Sequence, residues 1–414
     1  KDAAFSGLSI GIYMGGVGVG SILMFFVMTR WGFQPLQRLR SGLLVSVFVF
    51  LLGSVAYAIV VFSTSTLLSS EKARSLSILL ILSRFLAGFG AGLAWQQLYV
   101  SYKSVVSADL LEKTIFTAQV LGMLGMALAP GAGAMLDIMC SSKIGQFRAV
   151  AVAGVVLVAS MWIALHLLLP SSIPAVTTQT ETQRSSELQP RHRRLLLIGT
   201  IAISSGRAFV AGGVEVASVF IMETTYSMSL PWPGVLTGIA FTLITFRALL
   251  MPPLENKGIR NEFRRTYSLS LFGAVLLTGG PPFLPSAAAP CLVLLGDFLV
   301  ALVIILEGKL LALQMQSTFP AGTDWLDLDG TTMIWQILCC IMRVLGPWTA
   351  RYVIESCGQN AYAVLQLLVL AMLYLVFELL VAPFINVTDE HEGQSKALGL
   401  PSEKQIATPV HEQS

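Results

Sequence analysis

The sequence predicts an all-α polytopic membrane protein, and three observations support that fold class. The chain has 414 residues, of which 55% are hydrophobic and only 12% are charged, with a mean hydropathy of +0.74. Soluble globular domains carry roughly 25% charged residues, so a soluble protein is excluded. Eleven separate stretches are apolar over about 20 residues, the length that a helix needs to cross a bilayer. A membrane β-barrel would show short alternating segments instead.

The eleven stretches divide the chain into two groups of spans. They fall at residues 5–29, 41–63, 75–102, 114–136, 147–169, 195–222, 233–251, 267–284, 288–312, 331–353 and 361–385. The polar segment 170–194 is predicted to be a cytoplasmic linker between one bundle at 1–169 and a second at 195–386. The polar stretch 387–414 is predicted to be a disordered cytoplasmic tail.

The distribution of positive charge predicts the orientation. If the first span runs inward, the loops on the cytoplasmic side hold about 13 Lys and Arg against about 6 on the opposite side. The net charge is only +3, so no nucleic-acid-binding field is expected. Five cysteines in so long a chain do not make a disulfide framework. We find no metal-ligand spacing, Walker loop or catalytic triad, and we therefore expect no cofactor, no metal and no enzymatic activity.

Landmarks recur at similar offsets in the two halves. The offsets are 217 for Pro130 and Pro347, 213 for Arg84 and Asp297, and 226 for Gly32 and Gly258. The second half holds six spans and the first only five, so the unmatched helix would precede Phe5. The sequence therefore predicts a six-plus-six transporter whose first helix is absent from this chain.

Two glycine motifs carry a family resemblance. The third span contains Arg84-x-x-x-Gly88-x-Gly90, and the fourth contains Gly125-x-x-x-Ala-Pro130-x-x-Gly133-Ala. They resemble the motifs of the fourth and fifth helices of the major facilitator superfamily (MFS), with alanine in place of glycine twice in the second. Both occur in the helices that the absent first helix would make fourth and fifth.

Two cytoplasmic loops are similar to a further motif of that superfamily. The first loop keeps Arg30 and Gly32 but has Thr29 where the family has aspartate. The second-half copy keeps an acid, a glycine and a basic residue at Glu255, Gly258 and Arg260. Within the superfamily, Glu215 and Glu223 in the sixth span, with Gly346-Pro347 in the tenth, resemble the lysosomal MFS-domain and SPX-MFS vacuolar phosphate branch.

The resemblance implies two pseudo-symmetric six-helix bundles and a monomeric carrier that works by alternating access in a lipid bilayer. Glycines on apolar helices let backbones approach closely, so Gly88, Gly92, Gly125 and Gly133 are expected to pack family helices four and five together. Pro130 and Pro347 interrupt spans and are expected to bend them near the gate. An inert kink is the alternative.

Charged residues inside spans are the candidate substrate and coupling sites, because each costs roughly 2.5–3.5 kcal/mol at a helix centre. We single out Arg84, Arg207, Glu215, Asp297 and Arg343. Arg84 and Asp297 lie at similar depths on equivalent helices, so we expect either an ion pair between them or a proton site at Asp297. The excess of arginine favours an anionic substrate, although a proton-coupled carrier of other solutes would also keep buried Arg–acid pairs.

Other charged residues receive a structural interpretation. Glu307 and Lys309 lie near the cytoplasmic end of their span and are expected to reach toward the surface. Arg247 is interpreted as structural, and Glu378 is set aside because its helix is peripheral in the family.

The leading function is a secondary active transporter of a small molecule or ion, with an anion favoured and proton coupling considered. An anion-selective channel or leak on the same scaffold is the second hypothesis. A transport-inactive membrane regulator is the third. The sequence does not name the substrate, and it does not choose between a vacuolar or lysosomal membrane and the plasma membrane.

Overall fold

Most of the residues that the computed structural model describes are helical. The described residues are 3–31, 38–63, 70–105, 108–140, 143–170, 189–229, 232–249, 258–280, 288–319 and 324–385. Within these ranges there is no β-strand, only one isolated bridge between Phe319 and Asp327. The predicted all-α fold class is confirmed.

The N-terminal half contains five helices. They are α1 (Ala3–Arg30), α2 (Leu39–Ser63), α3 (Ser70–Val105), α4 (Ala108–Met139) and α5 (Lys143–Leu168). Each begins two to six residues before its predicted span, because helices continue beyond the apolar run that identifies them.

The C-terminal half contains six helical segments of span length, one of which changes its helical type. The segments are α6 (Pro190–Thr224), α7 (Trp232–Leu249), α8 (Ile259–Leu276), α9 (Ala289–Ala301) continuing through a 3-10 segment (Leu302–Leu306) into α10 (Glu307–Ser317), α11 (Leu328–Cys357), and α12 (Gln359–Val376) continuing through a π-helical turn (Phe377–Val381). Among the described residues, eight helices are long and apolar enough to cross a bilayer. The protein is therefore an integral, multi-pass membrane protein.

Helices α3, α4, α6 and α8 begin five to eight residues before their predicted spans, and each added stretch contains charged residues. Helix α8 begins at Ile259 rather than near residue 267, and α6 begins at Pro190, inside the predicted linker. Because the first turns of these helices are charged, the sequence predicted that they would lie in loops. In the structure Glu262 pairs with Lys309, so these charges are accommodated on the helix. The tail and most of the linker lie outside the described residues.

Glycines bring three helices of the N-terminal half into backbone contact. A Cβ atom added at Gly88 of α3 would lie 1.9 Å from the Tyr13 carbonyl oxygen of α1, and one at Gly90 would lie 2.3 Å from the Phe50 nitrogen of α2. The expected packing of Gly88 and Gly92 against Gly125 and Gly133 is therefore wrong. A Cβ at Gly125 or Gly133 of α4 would meet no described atom within 4 Å.

The two halves meet along α1 with α11 and along α4 with α7. Gly7 and Gly11 of α1 lie against the backbone of α11 at Pro347 and Val344. Within the C-terminal half, Gly346 of α11 lies equally close to α6, since a Cβ there would be 2.5 Å from the Phe209 carbonyl oxygen. Helix α11 therefore contacts both halves at one level, around Pro347.

Candidate functional site

Arg207 and Glu307 form an ion pair inside the C-terminal half. Arg207 Nη2 on α6 lies 2.7 Å from Glu307 Oε1 on α10, and the arginine side chain is only 5% exposed. Arg207 Nη1 also donates to the Ile304 carbonyl at 3.4 Å. That carbonyl belongs to the 3-10 segment, whose end places Glu307 opposite the arginine. The local change of helix type thus sets the geometry of the pair.

A second pair lies beside the first. Arg343 Nη2 on α11 donates to Glu215 Oε1 on α6 at 3.2 Å, and both side chains are partly exposed. Glu307 is also close enough to act electrostatically on Arg343. The four residues Arg207, Glu215, Glu307 and Arg343 therefore form one charged cluster, with two positive and two negative groups on α6, α10 and α11. Cys339 of α11 adjoins it.

Three members of the charged cluster, Arg207, Glu215 and Arg343, were predicted from the sequence, and the fourth, Glu307, was not. Glu307 was expected to reach toward the cytoplasmic surface, and that interpretation is wrong, because it pairs with a buried arginine. No feature of the sequence indicates that Glu307 pairs with Arg207. The residues Leu302–Leu306 are uniformly apolar, and a change from α to 3-10 geometry inside them alters which face Glu307 occupies.

Arg84 and Asp297 do not pair with each other. The Arg84 guanidinium lies over the Tyr57 ring of α2, 5.2 Å from its centroid, which is a cation–π geometry. Asp297 is 3% exposed, and its carboxylate lies beside the Ser218 hydroxyl of α6, with no cationic partner among the described residues. The expected ion pair is therefore wrong, while the proton site at Asp297 stays a prediction.

Asp297 lines a small cleft among α6, α7 and α9. Ser218 of α6 and Thr237 of α7 are the other polar residues of its lining, which is otherwise apolar. Beside it, a Cβ added at Gly296 would lie 2.8 Å from the Gly273 carbonyl oxygen of α8. This close approach fixes the backbone that carries the carboxylate.

Ion pairs join the first turns of α8 to the π-helical turn that follows α12. Glu378, in the π-helical turn, accepts hydrogen bonds from Arg264 Nε at 2.6 Å and Nη2 at 2.7 Å, and Arg260 lies 3.7 Å away. Glu378, set aside from the sequence, thus holds the arginine of the predicted loop motif. Next to them, Arg194 lies 2.7 Å from Asp324, and this hydrogen bond lowers the pKa of that carboxyl group.

The other loop-motif residues are placed only in part. Arg30 is exposed at the end of α1. Gly258 precedes α8 with φ of 100°, a conformation that favours glycine. Gly32 and Glu255 lie outside the described residues, as does the side chain of Pro130 within α4.

Polar side chains bridge the two halves along α1 and α11. Gln336 Nε2 donates to Ser21 Oγ at 2.7 Å, and Arg351 Nη1 donates to Ser6 Oγ at 2.5 Å. Between them, Gly18 faces Cys340, with 3.1 Å between an added Cβ and the Cys340 Cβ. We call this contact the α1–α11 seam. The seam was not predicted from the sequence, because a serine or glutamine inside an apolar helix does not indicate which residue it will contact.

Known proteins are similar to this chain in structure but not in sequence. No known family profile matches the sequence, and no curated protein is similar to it in sequence. The xylose transporter XylE from E. coli in an inward-open conformation has a TM-score of 0.62 at 13% identity, covering 90% of this chain and 85% of that chain. XylE is an MFS protein.

Two further solved structures have the same architecture. The human organic anion transporter MFSD10 (TETRAN) has a TM-score of 0.57 at 16% identity, covering 90% of this chain and 82% of that one. The nucleoside transporter NupG has a TM-score of 0.51 at 14% identity, covering 92% of this chain and 98% of that one. The chain thus has the fold of the major facilitator superfamily.

Proposed function

We propose that this protein is a secondary active transporter that moves a small solute across its membrane by alternating access. The charged cluster is the observation that carries this proposal. Charges inside spans are costly, and they are kept where substrates or ions pass. In this fold, a cluster shared by α6, α10 and α11 can exchange partners as the helices move. No covalent chemistry is required.

An anionic substrate is favoured by the kind of charge that the cluster offers. Arg207 and Arg343 present planar guanidinium groups, which bind carboxylate or phosphate through paired hydrogen bonds. Each is held by a glutamate carboxylate in this structure. An anionic solute would therefore compete with Glu307 and Glu215 for the same donors. We propose that this exchange loads the carrier and that proton movement accompanies it.

The narrower resemblance to the lysosomal and vacuolar branch stays a prediction.

Counterflow in liposomes tests the transport function. The purified protein is reconstituted, and exchange is measured for labelled lactate, succinate and inorganic phosphate, with D-xylose and uridine as neutral comparisons. We expect saturable exchange of an anion, and its loss in Arg343→Gln. The matched control is Arg247→Gln, an exposed arginine near the inner end of α7, which should exchange normally.

Three outcomes would contradict the proposal. Anion conductance without exchange would identify a channel or leak. No flux of any probe, from protein that is folded and inserted, would favour a transport-inactive regulator. Exchange of only xylose or uridine would keep the carrier and overturn the anionic substrate.

A further inference from the structure

We propose that the start of helix α6 binds a phosphate group, carried either by a lipid headgroup or by a soluble anion. The site consists of the Arg193 guanidinium and the backbone amides of Arg191 and His192, and we call it the α6 anion site. It is separate from the charged cluster, because Arg207 follows Arg193 by fourteen residues, which is about 21 Å of α-helix. The inference does not depend on the proposed transport function.

Arg193 is a buried arginine with no acidic partner among the described residues. It is 7% exposed, and its Nε atom is enclosed without a hydrogen-bond partner. Its guanidinium carbon lies 5.3 Å from the centroid of the Phe319 ring, which is a cation–π geometry. A buried charge without a counter-ion is costly, and an anion that pairs with it removes that cost. The side chain is therefore suited to receive an anion.

The acid on the adjoining connection between α10 and α11 is already paired. Asp324 accepts a hydrogen bond from Arg194 Nη2 at 2.7 Å, and its other carboxylate oxygen accepts from the Leu326 amide at 3.2 Å. Its negative charge is thus compensated by Arg194. Arg193, the preceding residue, keeps its positive charge uncompensated.

The first turn of α6 adds two backbone donors. The helix has 35 residues and begins at Pro190, which has no N–H, and Gln189 before it makes no side-chain cap. The Arg193 amide donates to the Gln189 carbonyl at 3.1 Å, but the amides of Arg191 and His192 have no acceptor in the described structure. Free amides at the start of a long helix attract anions, because they add to the positive end of the helix dipole.

The guanidinium and the free amides belong to the same end of the helix. Side chains on an α-helix lean toward its N-terminus, so Arg193 reaches back over the turn that carries the free amides. Phe319 holds the guanidinium there, and the Arg194 guanidinium carbon lies 5.8 Å from the centroid of the same ring. Two arginines and one carboxylate, that of Asp324, leave an excess of positive charge beside the free amides.

The donors of the α6 anion site favour a phosphate group over a carboxylate. A guanidinium group donates in parallel to two oxygens of one anion. The two free amides can then donate to a third oxygen. A terminal phosphate group offers three unsubstituted oxygens, whereas a carboxylate offers only two. A phosphate group therefore uses all of these donors.

Both sources of phosphate have access to this end of the molecule. Trp325, which follows Asp324, is 67% exposed. Exposed tryptophans are frequent where a membrane protein meets lipid headgroups and water. A headgroup in the bilayer and an anion in solution can both approach a site at that level.

A bound phosphate would connect α6 with the residue that follows α10. Arg193 lies on α6, and Phe319, over which it is held, lies two residues after the end of α10. Helices α6 and α10 also hold the Arg207–Glu307 pair. Because the anion binds only the folded arrangement, it should raise the unfolding temperature of the protein.

Thermal unfolding tests the α6 anion site without a transport assay. The full chain in phosphatidylcholine nanodiscs is titrated with inorganic phosphate, against chloride at equal ionic strength. The unfolding temperature of the wild-type protein should rise, and Arg193→Gln should need about tenfold more phosphate or higher for the same rise. Arg193→Lys keeps the charge without the planar fork, so its response should be intermediate. It also provides a second variant if Arg193→Gln does not fold.

Two control variants separate this site from other positive charge. Arg265→Gln removes an exposed arginine from α8, and Arg343→Gln removes an arginine of the charged cluster. Both should respond to phosphate as the wild-type protein does. A response lost equally in Arg265→Gln and Arg193→Gln would indicate diffuse surface charge and would overturn the proposal. A response lost in Arg343→Gln and kept in Arg193→Gln would place the binding in the cluster and would overturn it as well.

Nanodiscs of different lipid composition identify the source of the phosphate. Phosphatidic acid has a terminal phosphate, whereas phosphatidylglycerol is anionic without one. If a lipid is the ligand, phosphatidic acid should raise the unfolding temperature more than phosphatidylglycerol does, and Arg193→Gln should abolish the difference. If the ligand is soluble, the two lipids should act alike, and inorganic phosphate should give the rise that depends on Arg193.

The proposal is overturned if neither inorganic phosphate nor phosphatidic acid raises the unfolding temperature of the wild-type protein. It is overturned equally if the rise is undiminished in folded Arg193→Gln. Absence of counterflow in the wild-type protein would refute the transport function and leave the unfolding measurements to decide the α6 anion site.

Discussion

At the level of single residues, the charged side chains inside spans could be predicted from the sequence, but their partners could not. Arg207, Glu215 and Arg343 were identifiable because a charge inside an apolar run is conspicuous and costly. Their partners were not identifiable, because a partner depends on the rotation of two helices about their axes. Asp297 was found for the same reason as the arginines, but its burial beside neutral polar groups is visible only in the folded chain.

The Arg207–Glu307 pair yields a stability prediction. Replacing Arg207 with Met leaves a partly buried carboxylate unpaired and should destabilise the protein by about 3–5 kcal/mol. The double replacement Arg207→Met with Glu307→Met should recover most of that loss, since no lone charge remains. Thermal unfolding of the purified variants gives the comparison.

The control for this cycle is Arg194→Gln, which breaks a pair whose arginine is 56% exposed. It should change the unfolding temperature very little, because solvent-exposed pairs contribute little. A double variant as unstable as the single Arg207→Met would show that packing, rather than unpaired charge, dominates at this site.

At the level of helices, hydropathy predicted where the helices lie, and eight of those described are long and apolar enough to cross a bilayer. Their boundaries and irregularities did not follow from hydropathy. The start of α8 was misplaced because its first turns are charged, and those charges find partners on α10 and α12. The π-helical turn that carries Glu378 leaves no trace in the sequence. Glycine motifs predicted close packing of α3 but not the partner helix, since small residues permit any close neighbour.

Replacement by alanine should destabilise the protein at Gly88 and leave its stability almost unchanged at Gly125, although both glycines lie in similar motifs. At Gly88 the new Cβ would lie 1.9 Å from the Tyr13 carbonyl oxygen, so the backbones of α1 and α3 must separate. We expect a loss of about 1–3 kcal/mol in unfolding free energy. Gly125→Ala, the matched control, meets open space and should stay within about 0.5 kcal/mol of wild type.

For the whole molecule, the membrane class followed from composition alone, because hydropathy is a local property. The α1–α11 seam did not, since Ser21 and Gln336 lie 315 residues apart and neither is unusual by itself. Alternating access requires the two halves to move relative to each other along this seam. The glycines of the α1–α11 seam let the two helices approach closely. Its polar hydrogen bonds stabilise one position of the two halves relative to each other.

A covalent link across the seam should therefore stop transport. In Gly18→Cys the new thiol would lie beside the native Cys340, within reach of a disulfide after a small shift. Oxidation should abolish counterflow, and reduction should restore it. Gly18→Cys combined with Cys340→Ser serves as the control and should be insensitive to oxidation. Undiminished flux from a fully cross-linked sample would show that the halves need not part at this level.

The 3-10 segment also sets a mechanical stroke for the span that contains it. A 3-10 helix rises about 2.0 Å and turns about 120° per residue, against about 1.5 Å and 100° for an α-helix. If Leu302–Leu306 rewound to α geometry, the span would shorten by about 2.5 Å and the following helix would turn by about 100°. A turn of that size moves Glu307 to another face of its helix. A small shortening of the 3-10 segment along its axis would thus be coupled to a large rotation of the helix that follows it.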